Sequence, residues 1–229
     1  MSDARSGEQT VDPTVLIVAR APVPGEAKTR LAAHVGDDSA ARLAGAALLD
    51  TIAAAEATGW PVCIAMTGDL EKSPMREELG EAMVSHRRVS QRGGSFAERL
   101  AAAHRDADRG GGVVQVGMDT PQAHADDLRT AGEHLSLHDA VLGRANDGGW
   151  WLLGVRESGH AQSLRGVPMS TDRTAELTHA ALQAGGARVK EYASMTDVDT
   201  WADAVEVAAA APGTRFGKEM ARVRGGDLG

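Results

Sequence analysis

Short apolar segments alternate along this chain with longer segments rich in Ala and Leu, and this alternation constrains the fold more than any other feature. The runs TVLIVA (14–19) and PVCIAM (61–66) are typical of buried strands, whereas the segment 37–59 is typical of a helix. Strands and helices that alternate at these lengths form right-handed βαβ units, in which helices cover both faces of a parallel sheet. The sequence therefore predicts an α/β fold with a mostly parallel central sheet.

The rest of the chain continues this alternation, with one exception. The runs DAVLGR (139–144) and GWWLLGV (149–155) are separated only by polar turn residues, so one of the two strands is predicted to be antiparallel to the others. Further strands are predicted at 112–119 and 187–193, and further helices at 95–107, 124–135, 170–185 and 199–211. We expect one domain over residues 14–215, a flexible N-terminal tail at 1–13 and a Gly- and Arg-rich C-terminal tail at 216–229.

Composition excludes several classes of function. The chain has 229 residues and a net charge of −8, which suits a single globular domain and argues against nucleic acid or an anionic membrane as partner. The single cysteine, Cys63, excludes an internal disulfide and lies in a predicted core strand. The N-terminal residues carry no apolar secretory segment, and no run approaches the ~20 apolar residues of a membrane span. We therefore expect a cytoplasmic protein.

The segment that follows the first strand carries cations where a simple turn would not require them. In ARAPVPGEAKTRL (19–31), two prolines and Gly25 shape a loop that leads into Lys28 and Arg30. Ligands of open α/β sheets bind at the carboxyl ends of the strands, and loop N–H groups near a helix start favour an anion. Lys28 and Arg30 are therefore candidates to flank a polyphosphate; the alternative is a surface loop with two solvated cations.

Acidic residues follow two other predicted strands. In GMDTP (117–121), Asp119 comes directly after a buried strand, where a carboxylate can hold a divalent cation against phosphate oxygens. Asp197 and Asp199 occupy the corresponding position in SMTDVDT. The alternatives are local: Asp119 can bond within its own turn, and Asp199 can cap the following helix. The pattern leaves both interpretations open.

Two glycine-containing loops are also candidates for binding. In RANDGGWW (144–151), Gly148 and Gly149 permit a close approach to the backbone, and successive tryptophans in a strand face opposite sides. One tryptophan is therefore predicted to lie in the core and the other in a pocket, although a tight hairpin explains the glycines equally well. In SQRGGSFAERL, Gln91 is a candidate to hydrogen-bond a nucleobase, and Ser95 with Glu98 forms a predicted capping box.

The order of these motifs resembles that of a known protein family. ARAPVPGEAKTRL, QRGGSFAERL, GMDTP, DGGWWLLGV, VPMSTDRT and DVDT together resemble the bacterial DUF2064 proteins, also described as cofactor-guanylyltransferase-like glycosyltransferases. The resemblance covers residues 14–215, nearly the whole chain. It implies the single-domain, Rossmann-like GT-A fold of the nucleotide-diphospho-sugar transferase superfamily, with a nucleotide and a small acceptor as substrates.

The resemblance also implies roles for individual residues. On this pattern the phosphates lie against Arg20, Gly25, Lys28 and Arg30, and the base lies near Gln91 and Gly93. Asp119 and Asp199, with Asp197 as a third candidate, are implied to hold Mg²⁺ or Mn²⁺. The acceptor side is implied to consist of Asp147, Gly148, Gly149, Trp150, Ser170 and Thr171.

Two transferase activities remain open, with a binding protein as a third possibility. A nucleotidyltransferase would move NMP from an NTP to a phosphate-, phosphonate- or carboxylate-bearing acceptor and release pyrophosphate. A glycosyltransferase would use an NDP-sugar, with Asp147 as a candidate base. We favour the first, because Lys28 and Arg30 suit a triphosphate better than a diphosphate and, with Asp119, form the expected catalytic set. The leading bases are guanine and cytosine, and a homodimer is left open.

Overall fold

A single mixed sheet forms the centre of the computed structural model, which describes residues 11–226. The sheet has seven strands in the order β3-β2-β1-β4-β6-β5-β7. These are β1 (Thr14–Arg20), β2 (Val62–Thr67), β3 (Arg87–Ser90), β4 (Val113–Val116), β5 (Ala140–Ala145), β6 (Trp150–Val155) and β7 (Val189–Met195). Six strands run parallel to one another, and β6 is antiparallel to both of its neighbours. The predicted α/β class and the single antiparallel strand are confirmed.

Eight α-helices surround the sheet. They are α1 (Thr29–Val35), α2 (Asp37–Ala57), α3 (Arg76–Met83), α4 (Phe96–Ala107), α5 (Ala125–His134), α6 (Thr174–Ala184), α7 (Trp201–Ala210) and α8 (Arg215–Gly226) within the part of the chain that the structure describes. Two 3₁₀ helices span Leu70–Lys72 and Ser158–Gly166. None of the helices within residues 11–226 is long and apolar enough to cross a membrane.

Alternate residues of the strands send side chains into two separate cores, one on each face of the sheet. On one face, Val15 and Ile17 of β1 join a cluster with residues of α2, α3 and α5. On the other, Leu16 and Val18 join a cluster with residues of α4, α6 and the second 3₁₀ helix. Period-2 alternation in a strand that is apolar on both sides produces this division. Helices therefore cover both faces, as the sequence predicts.

The C-terminal segment differs from its prediction as a tail. Residues 215–226 form α8, which packs against α2 and α7 in a third core cluster. Phe216 and Met220 of this helix are each only 1% exposed. Apolar residues at i and i+4 on one helical face give α8 a buried side, so the folded domain extends beyond residue 215. The predicted N-terminal tail lies outside the described residues over positions 1–10, as do positions 227–229.

Candidate active site

The carboxyl ends of β1 and β4 bring distant segments of the chain together. The first loop, residues 21–28, leaves β1; residues 117–119 leave β4; residues 196–199 leave β7. The backbone N–H of Val198 donates to the carbonyl of Asp119 at 2.8 Å and ties the last two segments together. This arrangement follows because β1, β4 and β7 run parallel in one sheet, so that their carboxyl ends lie at the same edge.

Lys28 and Asp119 form an ion pair at the centre of this edge. Lys28 Nζ lies 2.8 Å from Asp119 Oδ2, and the side chains are 15% and 31% exposed. Burial opposes the charge on Lys28, but Asp119, with weaker help from Asp199 and Asp197, outweighs it and raises the lysine pKa. Lys28 is therefore a firmly charged ammonium group within a mostly enclosed site.

The backbone of the first loop holds Lys28 in an unusual conformation. Its φ is +50°, in the left-handed region, and it directly precedes the first residue of α1. Gly25, earlier in the loop, has φ +75°, which a glycine adopts without steric cost. A lysine in the left-handed region is strained, and such strain is concentrated at functional sites. The loop therefore directs the ammonium group toward Asp119 at a conformational cost.

The other cations of this region are also paired with carboxylates. Arg30 Nη1 lies 2.6 Å from Asp199 Oδ2, and Arg20 Nη2 lies 3.0 Å from Glu26 Oε2. Both arginine side chains are more than half exposed, so these pairs add little to stability. The Arg30–Asp199 pair lies next to the Lys28–Asp119 pair and so places a second cation at this edge. Arg20 instead pairs with Glu26 of the first loop.

Four carboxylates lie near one another at this edge: Asp119, Asp147, Asp197 and Asp199. Asp197 has its pKa raised to about 6, mainly by burial and then by the charges of Asp119 and Asp147, while Lys28 acts in the opposite direction. Within residues 11–226, no three His, Cys, Asp or Glu side chains are already arranged as a metal cage. Mg²⁺ needs no such cage, because it binds through one or two carboxylates together with waters and phosphate oxygens. The oxygen donors present therefore fit a hard divalent cation.

A partly open cavity, here named the aspartate cavity, lies beside these carboxylates and has a volume of about 270 Å³. Five of the six residues predicted for the acceptor side line it: Asp147, Gly149, Trp150, Ser170 and Thr171. Gly148 does not; its φ is +92°, and an added Cβ would collide with the backbone of Asp172. Gly148 therefore allows the turn to pack closely against Asp172, and it does not line the cavity as the sequence predicts.

The two adjacent tryptophans divide as predicted. Trp151 is 2% exposed, and its Nε1 donates to the carbonyl of Ala193 at 2.9 Å. Trp150 lies on the opposite side of β6 and lines the aspartate cavity, where its Nε1 is buried and has no partner among the described residues. Trp150 therefore contributes its ring to the wall of the cavity, and its N–H group is buried without a partner among the described residues.

Gln115 of β4 is a cavity residue that the sequence analysis missed. It is 3% exposed, and its Oε1 lies 2.8 Å from His104 Nε2. His104 is fully buried, and burial lowers its pKa to about 4, so the ring is neutral. A polar residue inside the apolar run VVQV was the available signal, because a buried amide requires a hydrogen-bonding partner.

A second opening, here named the Gln91 cleft, adjoins the aspartate cavity. Its lining residues are Val18, Ala19, Arg20, Thr67, Gly68, Gln91, Phe96 and Arg99. Val18 and Phe96 line both spaces and mark their junction. Phe96 is 40% exposed, and the Arg99 guanidinium lies 5.5 Å from the centre of its ring. Neither Phe96 nor Arg99 was singled out from the sequence, since both lie in an ordinary amphipathic helix.

The two residues predicted to lie near a base occupy different positions. Gln91 lines the cleft, but its Nε2 donates to the carbonyls of Ala19 and Ala65. The NH₂ group of its amide is therefore engaged within the protein. Gly93 has φ +144°, and an added Cβ would lie 2.7 Å from the Cβ of Glu98. Gly93 therefore lets the chain approach the start of α4 and does not line the cleft.

Comparison with known proteins identifies the family. The family model for DUF2064, described as "Uncharacterized protein conserved in bacteria", matches residues 48–171, more than half of the chain. The chain belongs to the DUF2064 family. This confirms the resemblance noted from the sequence motifs. No curated protein matches the chain.

Solved structures match the DUF2064 chain over most of its length. One is a "putative nucleotide-diphospho-sugar transferase" from Desulfovibrio desulfuricans G20, with a TM-score of 0.81 and 24% identity, covering 93% of this chain and 97% of that chain. CMP:2-keto-3-deoxy-manno-octonic acid synthetase complexed with CTP has a TM-score of 0.53 and 13% identity, covering 86% and 97%. Rv0371C of Mycobacterium tuberculosis H37Rv, in complex with manganese, has a TM-score of 0.51 and 18% identity, covering 86% and 98%. These likenesses establish a shared fold.

Proposed function

We propose that this DUF2064 protein is a nucleotidyltransferase that moves NMP from an NTP to a small acceptor and releases pyrophosphate. The observation that carries the proposal is the contact between Lys28 and Asp119, a residue that lines the aspartate cavity. A cation from the first loop and a carboxylate from the end of β4 meet where a bound nucleotide would carry its phosphates.

The two openings supply separate places for the two substrates. The Gln91 cleft offers an exposed aromatic ring and polar edges, which suit a nucleoside. The aspartate cavity is assigned to the small acceptor. Its lining combines apolar side chains and the hydroxyls of Ser170 and Thr171 with the carboxylates of Asp119, Asp147 and Asp197. A triphosphate that runs from the Gln91 cleft toward Asp119 in the aspartate cavity would bring its phosphates toward Lys28, which contacts Asp119.

A divalent cation, Mg²⁺ or Mn²⁺, is part of the proposal. Asp119 and Asp199 would hold it, with Asp197 as a third oxygen donor close to Asp119. When bound, such an ion supplies charge neutralisation between phosphate oxygens. The manganese complex of Rv0371C and the CTP complex of the synthetase, two proteins with this fold, support a metal and a nucleotide as partners.

The residues of the chain account for the transfer without a covalent intermediate. An oxygen of the acceptor attacks the α-phosphorus, a new P–O bond forms, and the bond to the β-phosphate oxygen breaks as pyrophosphate leaves. Lys28 and Arg30 neutralise the negative charge that accumulates on the phosphate oxygens. Cys63 is buried in the core and does not approach this site.

The experiment is a pyrophosphate-release assay. The protein is incubated with each NTP, Mg²⁺ and a panel of phosphate-, phosphonate- and carboxylate-bearing acceptors. We expect pyrophosphate with one NTP and one acceptor class, a loss of roughly 100-fold or more in Lys28→Ala, and unchanged rates in Lys218→Ala, which alters an exposed lysine of α8. Equal rates in both variants would contradict the assigned role of Lys28.

Glycosyl transfer is the second candidate, because the D. desulfuricans protein with the same fold carries a nucleotide-diphospho-sugar transferase description. In this case an NDP-sugar would occupy the Gln91 cleft, and Asp147 in the aspartate cavity would act as the base. The same incubation with NDP-sugars separates the two activities. Release of NDP without any pyrophosphate from NTPs would replace the first proposal with this one.

A further inference from the structure

We infer that Gln115 donates a hydrogen bond to an oxygen atom of the acceptor in the aspartate cavity, and that His104 holds the Gln115 amide in the orientation that this contact requires. The inference rests on the proposed function, which places the acceptor in this cavity. It adds a specificity-determining residue, Gln115, and a positioning residue, His104. Neither is among the residues that the family resemblance implies for the acceptor side.

Gln115 is a buried side chain that reaches the aspartate cavity. The residue is 3% exposed, and its Oε1 lies 2.8 Å from Nε2 of His104. Its Nε2 has no hydrogen-bond partner within residues 11–226, yet this nitrogen is not a buried atom. Because Gln115 lines the aspartate cavity, its NH₂ group is accessible from this cavity.

His104 determines which end of the amide faces the cavity. The ring is fully buried and neutral, so its two nitrogens carry one proton between them. With the proton on Nε2, the ring donates to Gln115 Oε1, and the buried Nδ1, which has no partner among the described residues, is an acceptor. A reversed amide would require the proton on Nδ1 and would leave a buried N–H donor without a partner, which is the rarer defect in native proteins.

The charges around the cavity favour the same orientation. Asp119, Asp147 and Asp197 line it, and no Lys, Arg or His side chain of the described residues is among its lining. An amide oxygen directed into the cavity would add one more acceptor to these carboxylates. An NH₂ group complements them, because a carboxylate accepts hydrogen bonds.

This orientation makes Gln115 a fixed donor for an oxygen of the acceptor. The other N–H donors of the lining side chains are not accessible, since Trp151 Nε1 is bonded to a main-chain carbonyl and Trp150 Nε1 is buried. Ionised carboxylates cannot donate. The Gln115 amide can therefore bind a hydroxyl, carboxylate or phosphonate oxygen without adding a charge to the site, whereas an ammonium group at this position would face a second donor.

Acceptor kinetics test both residues. With the NTP and acceptor that release pyrophosphate, we expect Gln115→Leu to raise the acceptor KM roughly three- to tenfold, the effect of one lost hydrogen bond, and to leave the NTP KM unchanged. His104→Phe, which removes the donor to Gln115, should have the same effect. His104→Gln, which retains an N–H group, should restore the wild-type KM, and the exposed control Gln183→Leu should not change it.

An NMR titration tests the contact without turnover and in the wild-type protein. The side-chain NH₂ signals of Gln115 are followed as acetate, methylphosphonate or 1,2-propanediol is added. We expect at least one of these probes to shift an NH₂ proton downfield, and the ¹⁵N signals of His104 to show the proton on Nε2. This measurement remains decisive if Gln115→Leu, which leaves the His104 N–H without a partner, does not fold.

The outcomes separate this inference from the proposed function. Pyrophosphate release with an unchanged acceptor KM in Gln115→Leu overturns the inference and leaves the transferase activity intact. No shift with any of the three probes, or a His104 proton on Nδ1, also overturns it. A shift of the Gln115 signals without pyrophosphate release from any NTP supports Gln115 as an oxygen-binding residue and contradicts the proposed nucleotidyl transfer.

Discussion

Replacement of Lys28 by alanine and by glycine separates the charge of this residue from its backbone strain. Either change removes the ammonium group from the ion pair with Asp119. The Asp119 carboxylate then lacks a compensating charge and repels the neighbouring Asp197. Removal of one partner from a fully buried pair costs about 3–5 kcal/mol. Because the Asp119 side chain is 31% exposed, solvent screens part of the loss, and we expect about 2 kcal/mol.

The backbone at position 28 distinguishes the two variants. At φ +50°, an L-residue with a Cβ bears a strain of roughly 1–2 kcal/mol, which glycine does not. Glycine loses about 0.4–1 kcal/mol through the greater freedom of its unfolded chain. The difference leaves Lys28→Gly more stable than Lys28→Ala by about 1 kcal/mol. At the exposed helical position Ala33, the variant Ala33→Gly should be less stable than the wild type by about 1 kcal/mol.

Urea unfolding and calorimetry measure both effects. We expect the free energy of unfolding to fall in the order wild type, Lys28→Gly, Lys28→Ala, with the opposite preference at Ala33. Both Lys28 variants should bind a magnesium triphosphate roughly 10- to 100-fold more weakly, the worth of a charge-assisted hydrogen bond. If Lys28→Ala equals or exceeds Lys28→Gly in stability, the strain argument fails. If both bind the nucleotide as the wild type does, the phosphate role fails.

Three further predictions concern a carboxylate, a buried histidine and the last helix. Asp119→Asn should remove the dependence of nucleotide affinity on Mg²⁺ in calorimetry; a persisting dependence contradicts the metal role. The pKa of His104, lowered to about 4, makes stability fall as pH drops from ~6.5 toward 4, by up to about 3 kcal/mol, because the unfolded chain takes up the proton first. Thermal unfolding of His104→Gln, measured across the same pH range, should not show this loss of stability. Phe216→Ala should lower the free energy of unfolding in urea by about 3–5 kcal/mol. No change would mean that α8 does not contribute to the folded domain.

The inner strands were predictable from the sequence because each is buried on both faces and is therefore mostly apolar. The edge strand β3 (Arg87–Ser90) was not, since three of its four residues are exposed and polar. Helix α1 has only seven residues and lacks a side-chain N-cap, so it carries no local start signal. In α8, the spacing of Phe216, Met220 and Val223 was available, but the surrounding glycines and arginines favoured a tail.

Helix starts were predicted to within a few residues, and the differences bear on function. Asp199 was one candidate for the cap of α7, but Thr200 and Asp203 form the capping box, and the Asp199 carboxylate pairs with Arg30. Helix α6 begins at Thr174 rather than near Ser170, whose φ of +61° holds it in the wall of the aspartate cavity. In both places a residue suited to capping lies in the candidate site instead.

The grouping of the candidate site was predictable, whereas its internal contacts were not. Parallel strands bring their carboxyl ends together, so the meeting of Lys28 with Asp119 followed from topology. The orientation of the Gln91 amide depends on two carbonyls from other strands, and the His104–Gln115 pair depends on how α4 packs over β4. Such contacts are set by tertiary packing, which local sequence patterns do not encode.

From the two central ion pairs we expect the proposed nucleotide and the proposed divalent cation to bind in concert. Lys28 is held by Asp119, and Arg30 by Asp199, so each cation proposed for phosphate is paired with a carboxylate proposed for metal. A triphosphate alone would draw the cations away and leave the carboxylates beside its own negative charge. A metal alone would displace the cations without offering them a partner. Bound together, each charged group exchanges one opposite charge for another, and by linkage the nucleotide and the metal strengthen each other's binding by the same factor.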